Sequence, residues 1–280
     1  FSGKWGTSFY RAKFFGEKEA NFSDAQFLNG INFKWTIFDC EGGTSFNRTH
    51  FSGKGAAEFS NVTFSSKNGT SFLGTIFDNQ EETNFSDAHF LGPGKTLFKD
   101  IFFKEETLVW FNSINMDSPE NLQFVDVHTL GRVLFLYTDL EKISFKNVHF
   151  HQTRHWFFNR ESLADERTDE LFPEGTKDEC NVDYYNHVEI LNRQLKINFE
   201  TQRDYARAGD FHYGELEMQH KAKILKWEER PSSKYLPFLK YFNLTQCYKV
   251  VSGYGEKWLQ ALMSFIAVCT LFTGLNLFWI

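Results

Sequence analysis

The chain has 280 residues, of which 34 are phenylalanine, and a formal net charge of −6. Five Pro and three Met beside so many Phe argue against an ordinary mixed core, and the length allows two modest domains or one long solenoid. Basic residues are interleaved with acids, so no basic face predicts nucleic-acid binding, and the four cysteines form no CxxC pair that would predict a disulfide framework or a zinc site.

Phenylalanine recurs at a fixed spacing in the first half of the chain. Pairs of Phe five positions apart begin at a constant step of thirteen, at Phe33, Phe46, Phe59, Phe72, Phe85 and Phe98. Such a period means that each unit buries its apolar residues only by stacking on its neighbours. A small or β-branched residue stands two positions before most of these Phe, as at Thr36 and Val62. The pattern predicts the short strands of a four-sided β-helix, with large and small side chains inward and corners between them.

One coil of this helix is predicted to contain two such pairs, so that its faces take five, eight, five and eight positions and the whole coil takes twenty-six. The longer faces contain polar or Gly-bearing stretches, such as 41–44 and 66–70, which are suited to bulged loops. An undecorated coil is predicted at 135–150, where the large residues are spaced by five throughout. The alternative is an amphipathic β-sandwich of the same period. The predicted repeat core comprises Phe22, Phe27, Phe33, Phe38, Phe46, Phe51, Phe59, Phe64, Phe72, Phe77, Phe85, Phe90, Phe135, Leu140, Phe145 and Phe150.

Segments such as ANFSDAQF (20–27), EFSNVTF (58–64) and TNFSDAHF (83–90) resemble the pentapeptide-repeat family, whose repeat has a small residue two before a central Leu or Phe. The resemblance implies a quadrilateral β-helix over residues 1–150. Residues 191–221 and the stretch YKVVSGYGE (248–256) are similar to a membrane-attached bacterial branch of that family, which implies no particular activity. Because the gap from Phe1 to Phe9 matches later gaps of eight, we expect earlier coils to be missing.

Residues 151–180 lose the repeat and are predicted to form a charged linker or a cap. The histidines at 149, 151 and 155 are interpreted as solvated or capping rather than metal-binding, since no carboxylate or cysteine completes a set. Helical periodicity predicts a hairpin over 181–230. Its first helix carries an apolar stripe of Tyr184, Val188, Leu191, Leu195 and Phe199. Its acids Asp210, Glu215 and Glu217 are expected to form a solvated face rather than a catalytic pair.

Residues 231–257 are predicted to be a juxtamembrane segment, followed by a transmembrane helix at 258–280 that contains no Asp, Glu, Lys or Arg. Trp258 and Trp279 stand at its ends, and the basic residues before it place the repeat domain on the cytoplasmic side. A buried core helix is the alternative. The juxtamembrane motif comprises Ser252, Gly253, Tyr254, Gly255 and Glu256, of which VSGYG also resembles a potassium-channel filter.

The sequence therefore predicts a mainly β chain with a solenoid, a helical hairpin and one transmembrane helix. The expected function is a membrane-tethered, non-enzymatic scaffold or protein-interaction module. Its expected partners are an unknown protein and the lipid bilayer, and no cofactor, metal or nucleic acid is expected. The alternative function is a subunit or regulatory domain of an ion channel or transport protein. Mimicry of DNA is disfavoured because lysines interrupt the acids along the repeats.

Overall fold

The structure is a computed structural model that describes residues 6–154, 158–167, 181–228 and 244–278, without the side chains of 244–246 and 274–278. Phe1, His155, Trp279, residues 155–157 and 168–180 of the predicted linker, and residues 231–243 of the predicted juxtamembrane segment thus lie outside the described residues. The chain divides into two compact units. The first contains residues 6–151 and 163–167, and the second contains 152–154, 158–162, 181–228 and 244–278.

The first unit is a parallel β-solenoid whose strands stack into four sheets, here called faces 1 to 4 in the order in which the chain visits them. Face 1 contains Thr7–Ser8, Ile31–Asn32, Ala57–Glu58, Thr83–Asn84, Val109–Trp110 and Val133–Leu134. Face 2 contains Lys13–Gly16, Ile37–Cys40, Thr63–Phe64, His89–Phe90 and Asn115–Met116. Face 3 contains Ala20–Asn21, Thr44–Ser45, Thr70–Ser71, Thr96–Lys99, Leu122–Val127 and Ser144–Val148. Face 4 contains Gln26–Phe27, His50–Gly53, Ile76–Asn79 and Phe102–Phe103.

The register of these strands gives the length of a coil. On face 3, Thr44 pairs with Thr70 and Thr70 with Thr96, so one coil advances the chain by twice the step between phenylalanine pairs. On face 1, the first and last pairings, Thr7 with Ile31 and Val109 with Val133, are each two positions shorter. The predicted four-sided parallel solenoid and its coil length are therefore confirmed. The last coil is shorter still on face 3, where Gln123 pairs with Ser144.

The interior is filled by four ladders of stacked phenylalanine rings, one for each face. Within a ladder the rings are nearly parallel: Phe46 and Phe72 have centroids 4.9 Å apart and planes at 5°. Between ladders they meet edge to face, as Phe72 and Phe85 do at 5.9 Å and 85°. Both are favoured arrangements of aromatic rings. The ladders are Phe9, Phe33, Phe59, Phe85, Phe111 and Phe135; Phe14, Phe38, Phe64 and Phe90; Phe22, Phe46, Phe72, Phe98, Phe124 and Phe145; and Phe27, Phe51, Phe77 and Phe103.

Each short corner of the solenoid is a β-turn that begins at a ladder phenylalanine. Val62 N donates to Phe59 O at 3.2 Å, and the third residue of the turn, Asn61, has φ 56°. Positive φ at this position, without positive φ at Ser60 before it, is typical of a type II turn and favours Gly or Asn. The same conformation recurs two residues after every Phe of the ladders on faces 1 and 3, at Arg11, Asp24, Trp35, Arg48, Asn61, Gly74, Asp87, Asp100, Ser113, Asp126, Tyr137 and Asn147.

The small inward residues add hydrogen bonds between coils. The buried hydroxyls of Thr36, Thr49 and Thr75 donate to the carbonyl oxygens of Phe9, Phe22 and Phe46 at 2.7, 2.9 and 2.7 Å. A hydroxyl shut away from water needs such an acceptor. Threonine at these positions thus fills a narrow inward site and also connects one coil to the coil before it.

Replacing Thr75 with valine should lower the free energy of unfolding by about 1 kcal/mol, the usual net contribution of one hydrogen bond. The two side chains have nearly the same shape, and Phe46 O still accepts from Thr49 N. Urea unfolding of the full chain measures the change. Thr63→Val is the matched control, because Thr63 is only half-buried, and it should change the free energy by less than about 0.5 kcal/mol. Equal losses in the two variants would contradict the assignment.

The last coil ends on a buried carboxylate. Within the solenoid, the N–H of a face 1 phenylalanine donates to a carbonyl of the following coil, as Phe111 N does to Leu134 O at 2.8 Å. At Phe135 the acceptor is instead the side chain of Asp165, whose two oxygens lie 3.2 and 3.1 Å from Phe135 N. Asp165 belongs to a 3-10 helix, Ala164–Arg167. This helix caps the solenoid, so part of the predicted linker belongs to the first unit.

In its described residues the second unit contains four helices and an extended pair of segments, His151–Arg154 with Asn159–Ser162, of which His151 itself belongs to the first unit. The helices are α1 (Val182–Thr201), α2 (Tyr205–Glu228), α3 (Leu244–Ser252) and α4 (Trp258–Phe278). Two further 3-10 helices are Pro119–Asn121 in the solenoid and Gly253–Gly255 between α3 and α4. The Asn181 side chain caps α1 by accepting from Tyr184 N at 2.9 Å. The predicted hairpin is confirmed, and the whole apolar stripe of α1 is buried.

Among the residues that the structure describes, we find no helix with both the length and the apolar character that crossing a membrane requires. The transmembrane helix predicted at 258–280 is therefore not supported.

Candidate functional site

The predicted repeat core lies inside the solenoid. All of its members except Phe22 are buried, and Phe22 is half-buried in the first coil. The large residues of the undecorated coil, Phe135, Leu140, Phe145 and Phe150, are all buried. Rings in this position hold the coils together and present no surface to a ligand. Any binding by the solenoid must therefore use its outward residues and its loops.

The predicted pairs, which also include Phe9, Phe14, Phe98 and Phe103, account for most rings of the ladders, but sequence reasoning missed Phe111 and Phe124. Both are fully buried and extend the ladders of faces 1 and 3. They follow Phe98 at the same constant step as the earlier pairs, so the period itself continues. They were missed because neither has a phenylalanine five positions later: Met116 and Thr129 stand there.

The juxtamembrane motif folds into a compact turn. Ser252 ends α3, and its hydroxyl accepts from Gly255 N at 3.0 Å. Between them Tyr254 has φ 60° and is buried, with its ring 5.1 Å from that of Tyr213 on α2. Burial raises the pKa of Tyr254. A closed turn around a buried ring gives the channel-filter alternative no support, since a filter needs a row of exposed carbonyls.

The acids of α2 are engaged in ion pairs. Glu217 lies 2.8 Å from Lys249 and 3.5 Å from Arg160, whose side chain is only 3% exposed. Burial opposes the ionisation of Glu217, but attraction to Lys249 and Arg160 outweighs it and lowers its pKa. Hydrogen bonds from His212 and Arg193 lower the pKa of Glu215 to about 2. The predicted solvated face is therefore wrong: these carboxylates hold the second unit together.

Two contacts of Lys257 fix the start of α4. Lys257, the residue before the helix, places its Nζ 2.7 Å from Asp210 on α2 and 4.8 Å from the centre of the Phe158 ring. Asp210 also accepts from Glu161 N at 2.9 Å. Lys249 and Lys257, which the sequence suggested as basic residues near a membrane, are thus paired within the second unit. These two ion pairs hold the chain on both sides of the turn before α4 against α2.

Apolar side chains of α4 are exposed on every side. Phe265, Leu271 and Phe272 are 67, 66 and 68% exposed, and Met263 and Val268 are also exposed. At about 100° per residue, positions 263, 265, 268 and 271 cover about 200° around the helix. Leu262 and Ile266, which are also exposed, lie on the remaining arc. A helix that is apolar all round normally lies in a protein core or a membrane. The expectation of a buried core helix does not hold for the described part of α4.

The titratable and thiol groups do not combine into a metal site within the described ranges, where no three His, Cys, Asp or Glu side chains converge. Cys40 is buried and burial raises the pKa of its thiol, while Cys247 and Cys269 are exposed, free thiols. Cys180 and His155 lie outside the described residues. The chain matches no protein-family model, no curated protein and no solved structure, so its resemblance to pentapeptide-repeat proteins stays a prediction.

Proposed function

We propose that the chain is a non-enzymatic scaffold of the pentapeptide-repeat type that attaches to a lipid bilayer through α4 and offers its solenoid to a protein partner. The observation that carries the proposal is the set of exposed apolar side chains around α4. Removing one such side chain from water is worth roughly 1.5–3 kcal/mol. The summed free energy of several such side chains therefore favours transfer of the helix from water into an apolar environment.

The bilayer is the occupant that fits this arrangement. A groove on a protein covers one face of a helix, whereas lipid surrounds it, and the exposed side chains of α4 point to all sides. Insertion of the apolar part of α4 into the bilayer is sufficient for attachment. The ion pairs of Lys249 and Lys257 with α2 hold the base of the helix, so the second unit would stay close to the lipid. The cytoplasmic side stays a prediction from the basic residues before α4.

The solenoid supplies the second part of the proposal. Its hydrogen-bonded coils and stacked rings make a stiff support, and its corners expose large side chains such as Trp35 and Tyr137. Phe102 adds an exposed ring on face 4. Exposed Trp and Tyr are the side chains that most often dominate protein interfaces. The partner is accordingly proposed to be a protein that contacts these outward residues.

Flotation of the full chain with neutral phosphatidylcholine vesicles tests the attachment. We expect the wild type to float, and the triple variant Phe265→Ser, Leu271→Ser and Phe272→Ser to lose at least about ten-fold in bound fraction at limiting lipid, because about 4 kcal/mol or more of apolar burial is removed. The matched control is Phe15→Ser, Trp35→Ser and Phe102→Ser, which removes three exposed rings from the solenoid. A wild type that stays at the bottom of the gradient would disprove lipid attachment.

A further inference from the structure

A cleft lies at the corner between faces 4 and 1, beside the last two coils. Its volume is about 350 Å³, the lower end of the range for small-molecule sites. Its lining includes Lys104, Glu105, Arg132, His151 and Arg167. All of these belong to the first unit. We call it the corner cleft.

The corner cleft has an excess of positive charge. Three of its lining residues are cations, and its one acid, Glu105, is exposed. Lys104 Nζ also lies 3.4 Å from Asp78 Oδ1, and Asp78 does not line the cleft. This ion pair partly neutralises the charge that Lys104 contributes. The same corner near the other end of the solenoid is different, because its charged lining is Lys54, Glu58 and Glu81. The positive charge therefore belongs to the last coils and is not a feature of every coil.

Arg132 is the best donor in the cleft. Its Nε is buried, and within the described part of the chain it has no hydrogen-bond acceptor. A buried guanidinium N–H without an acceptor is costly, and nearly all such groups in proteins are paired. The guanidinium fork matches two oxygens of one anion, which phosphate and carboxylate both provide. Because the enclosed Nε is out of reach of a ligand, an anion in the cleft would be bound by the terminal nitrogens of this half-buried side chain.

The loop that carries Arg132 is held in place on both sides of Gly131. Gly131 N donates to the Thr129 hydroxyl at 3.0 Å, and Gly131 O accepts from Nη2 of Arg167 at 2.7 Å. The Arg167 contact joins the loop to the capping 3-10 helix. A donor on a fixed loop loses little conformational freedom when a ligand binds. The geometry of the cleft is thus set before any anion arrives.

We propose that the corner cleft binds the phosphate group of a small phosphate monoester, with Arg132 as the principal donor and Lys104 and Arg167 supplying further positive charge. Three cations around one small cleft suit a group that carries close to two negative charges better than a monocarboxylate. The volume leaves room for a small organic part beyond the phosphate. The phosphate could come from a soluble metabolite or from the headgroup of phosphatidic acid. The proposal does not depend on lipid attachment through α4.

Calorimetric titration of the full chain in a non-ionic detergent, with glycerol phosphate at constant ionic strength, tests the proposal. We expect saturable binding with Kd at or below about 1 mM. Arg132→Gln should weaken it by about ten-fold or more, and Arg132→Lys should lie between, because it keeps the charge and loses the fork. Arg48→Gln is the matched control, since Arg48 is an exposed solenoid arginine paired with Asp24. Thermal unfolding shows which variants fold. If Arg132→Gln does not fold, Lys104→Gln replaces it as the variant in which weaker binding is expected.

Acetate and phosphatidic acid vesicles complete the experiment. Weaker vesicle binding of Arg132→Gln, with no response to glycerol phosphate, would assign the phosphate to a lipid headgroup and support the site. Three results would overturn the proposal: no saturable binding of either phosphate source, acetate binding as tight as glycerol phosphate, or equal affinity in the wild type and Arg132→Gln. An equal loss in Arg48→Gln would also overturn it, because general charge would then account for binding.

Discussion

Replacing Phe72 with alanine should destabilise the solenoid by about 3–5 kcal/mol, the usual cost of removing a buried aromatic ring from a core. The Phe72 ring is fully buried and stacks between Phe46 at 4.9 Å and Phe98 at 4.6 Å. It also meets Phe85 and Phe64 edge to face at 5.9 Å each. The neighbouring rings are carried by strands that are hydrogen-bonded to the coils on both sides. They therefore have little freedom to move into the cavity that the truncation leaves.

Urea unfolding with a probe of the solenoid measures this change, and Phe15→Ala is the control. Phe15 is 78% exposed on the first coil, so its truncation should change the free energy of unfolding by less than about 0.5 kcal/mol. Phe72→Leu should fall between the two variants, because it keeps apolar volume and loses the ring stack. Similar losses in Phe72→Ala and Phe15→Ala would show that the ladder is not the stabilising core.

The ladders could be predicted because the repeat makes their environment periodic. Each inward phenylalanine meets the same neighbours one coil before and one coil after, so spacing in the sequence determines the contact. The coil length followed from the alternation of five and eight positions. Phe111 and Phe124 show the limit of a search for pairs: the inward column continued after its partner positions changed to Met116 and Thr129.

The contacts of the second unit could not be predicted in the same way. Glu217 meets Arg160 and Lys249, which lie far from it in the sequence, one before it and one after it. No period relates these positions, and charged residues on a helix are usually solvated. The burial of Tyr254 was missed for the same reason, because its contact with Tyr213 depends on the turn that places α3 beside α2.

The cap of the solenoid was predicted only as a segment, without its chemistry. A solenoid must end somewhere, and its last coil leaves backbone N–H groups without the carbonyls of a following strand. The sequence offers many acids in 151–180, and nothing in their pattern distinguishes Asp165. Its role follows from the position of one N–H, that of Phe135. In the earlier coils this N–H donates to a carbonyl of the next coil, and at Phe135 it donates to the side chain of Asp165.

The cap should make the stability of the solenoid depend on pH. Asp165 is 1% exposed, and burial raises its pKa to about 7 against the opposing hydrogen bond from Phe135 N. In the unfolded chain an aspartate titrates near pH 4. Between these values the folded state holds a proton that the unfolded state has lost, so the free energy of unfolding falls as pH rises from about 4 to 7. The full effect is roughly 4 kcal/mol, and it is constant above pH 7.

Asp165→Asn should remove this dependence. The amide oxygen can still accept from Phe135 N, and no charge remains to be buried. We therefore expect the variant to match the wild type near pH 4 and to exceed its free energy of unfolding by up to about 4 kcal/mol at pH 8. Urea unfolding from pH 4 to pH 8 gives both curves, and Asp139→Asn, at an exposed aspartate, should keep the wild-type slope. Parallel curves for the wild type and Asp165→Asn would mean that the cap carboxyl is ionised throughout, with the hydrogen bonds from the last coil outweighing its burial.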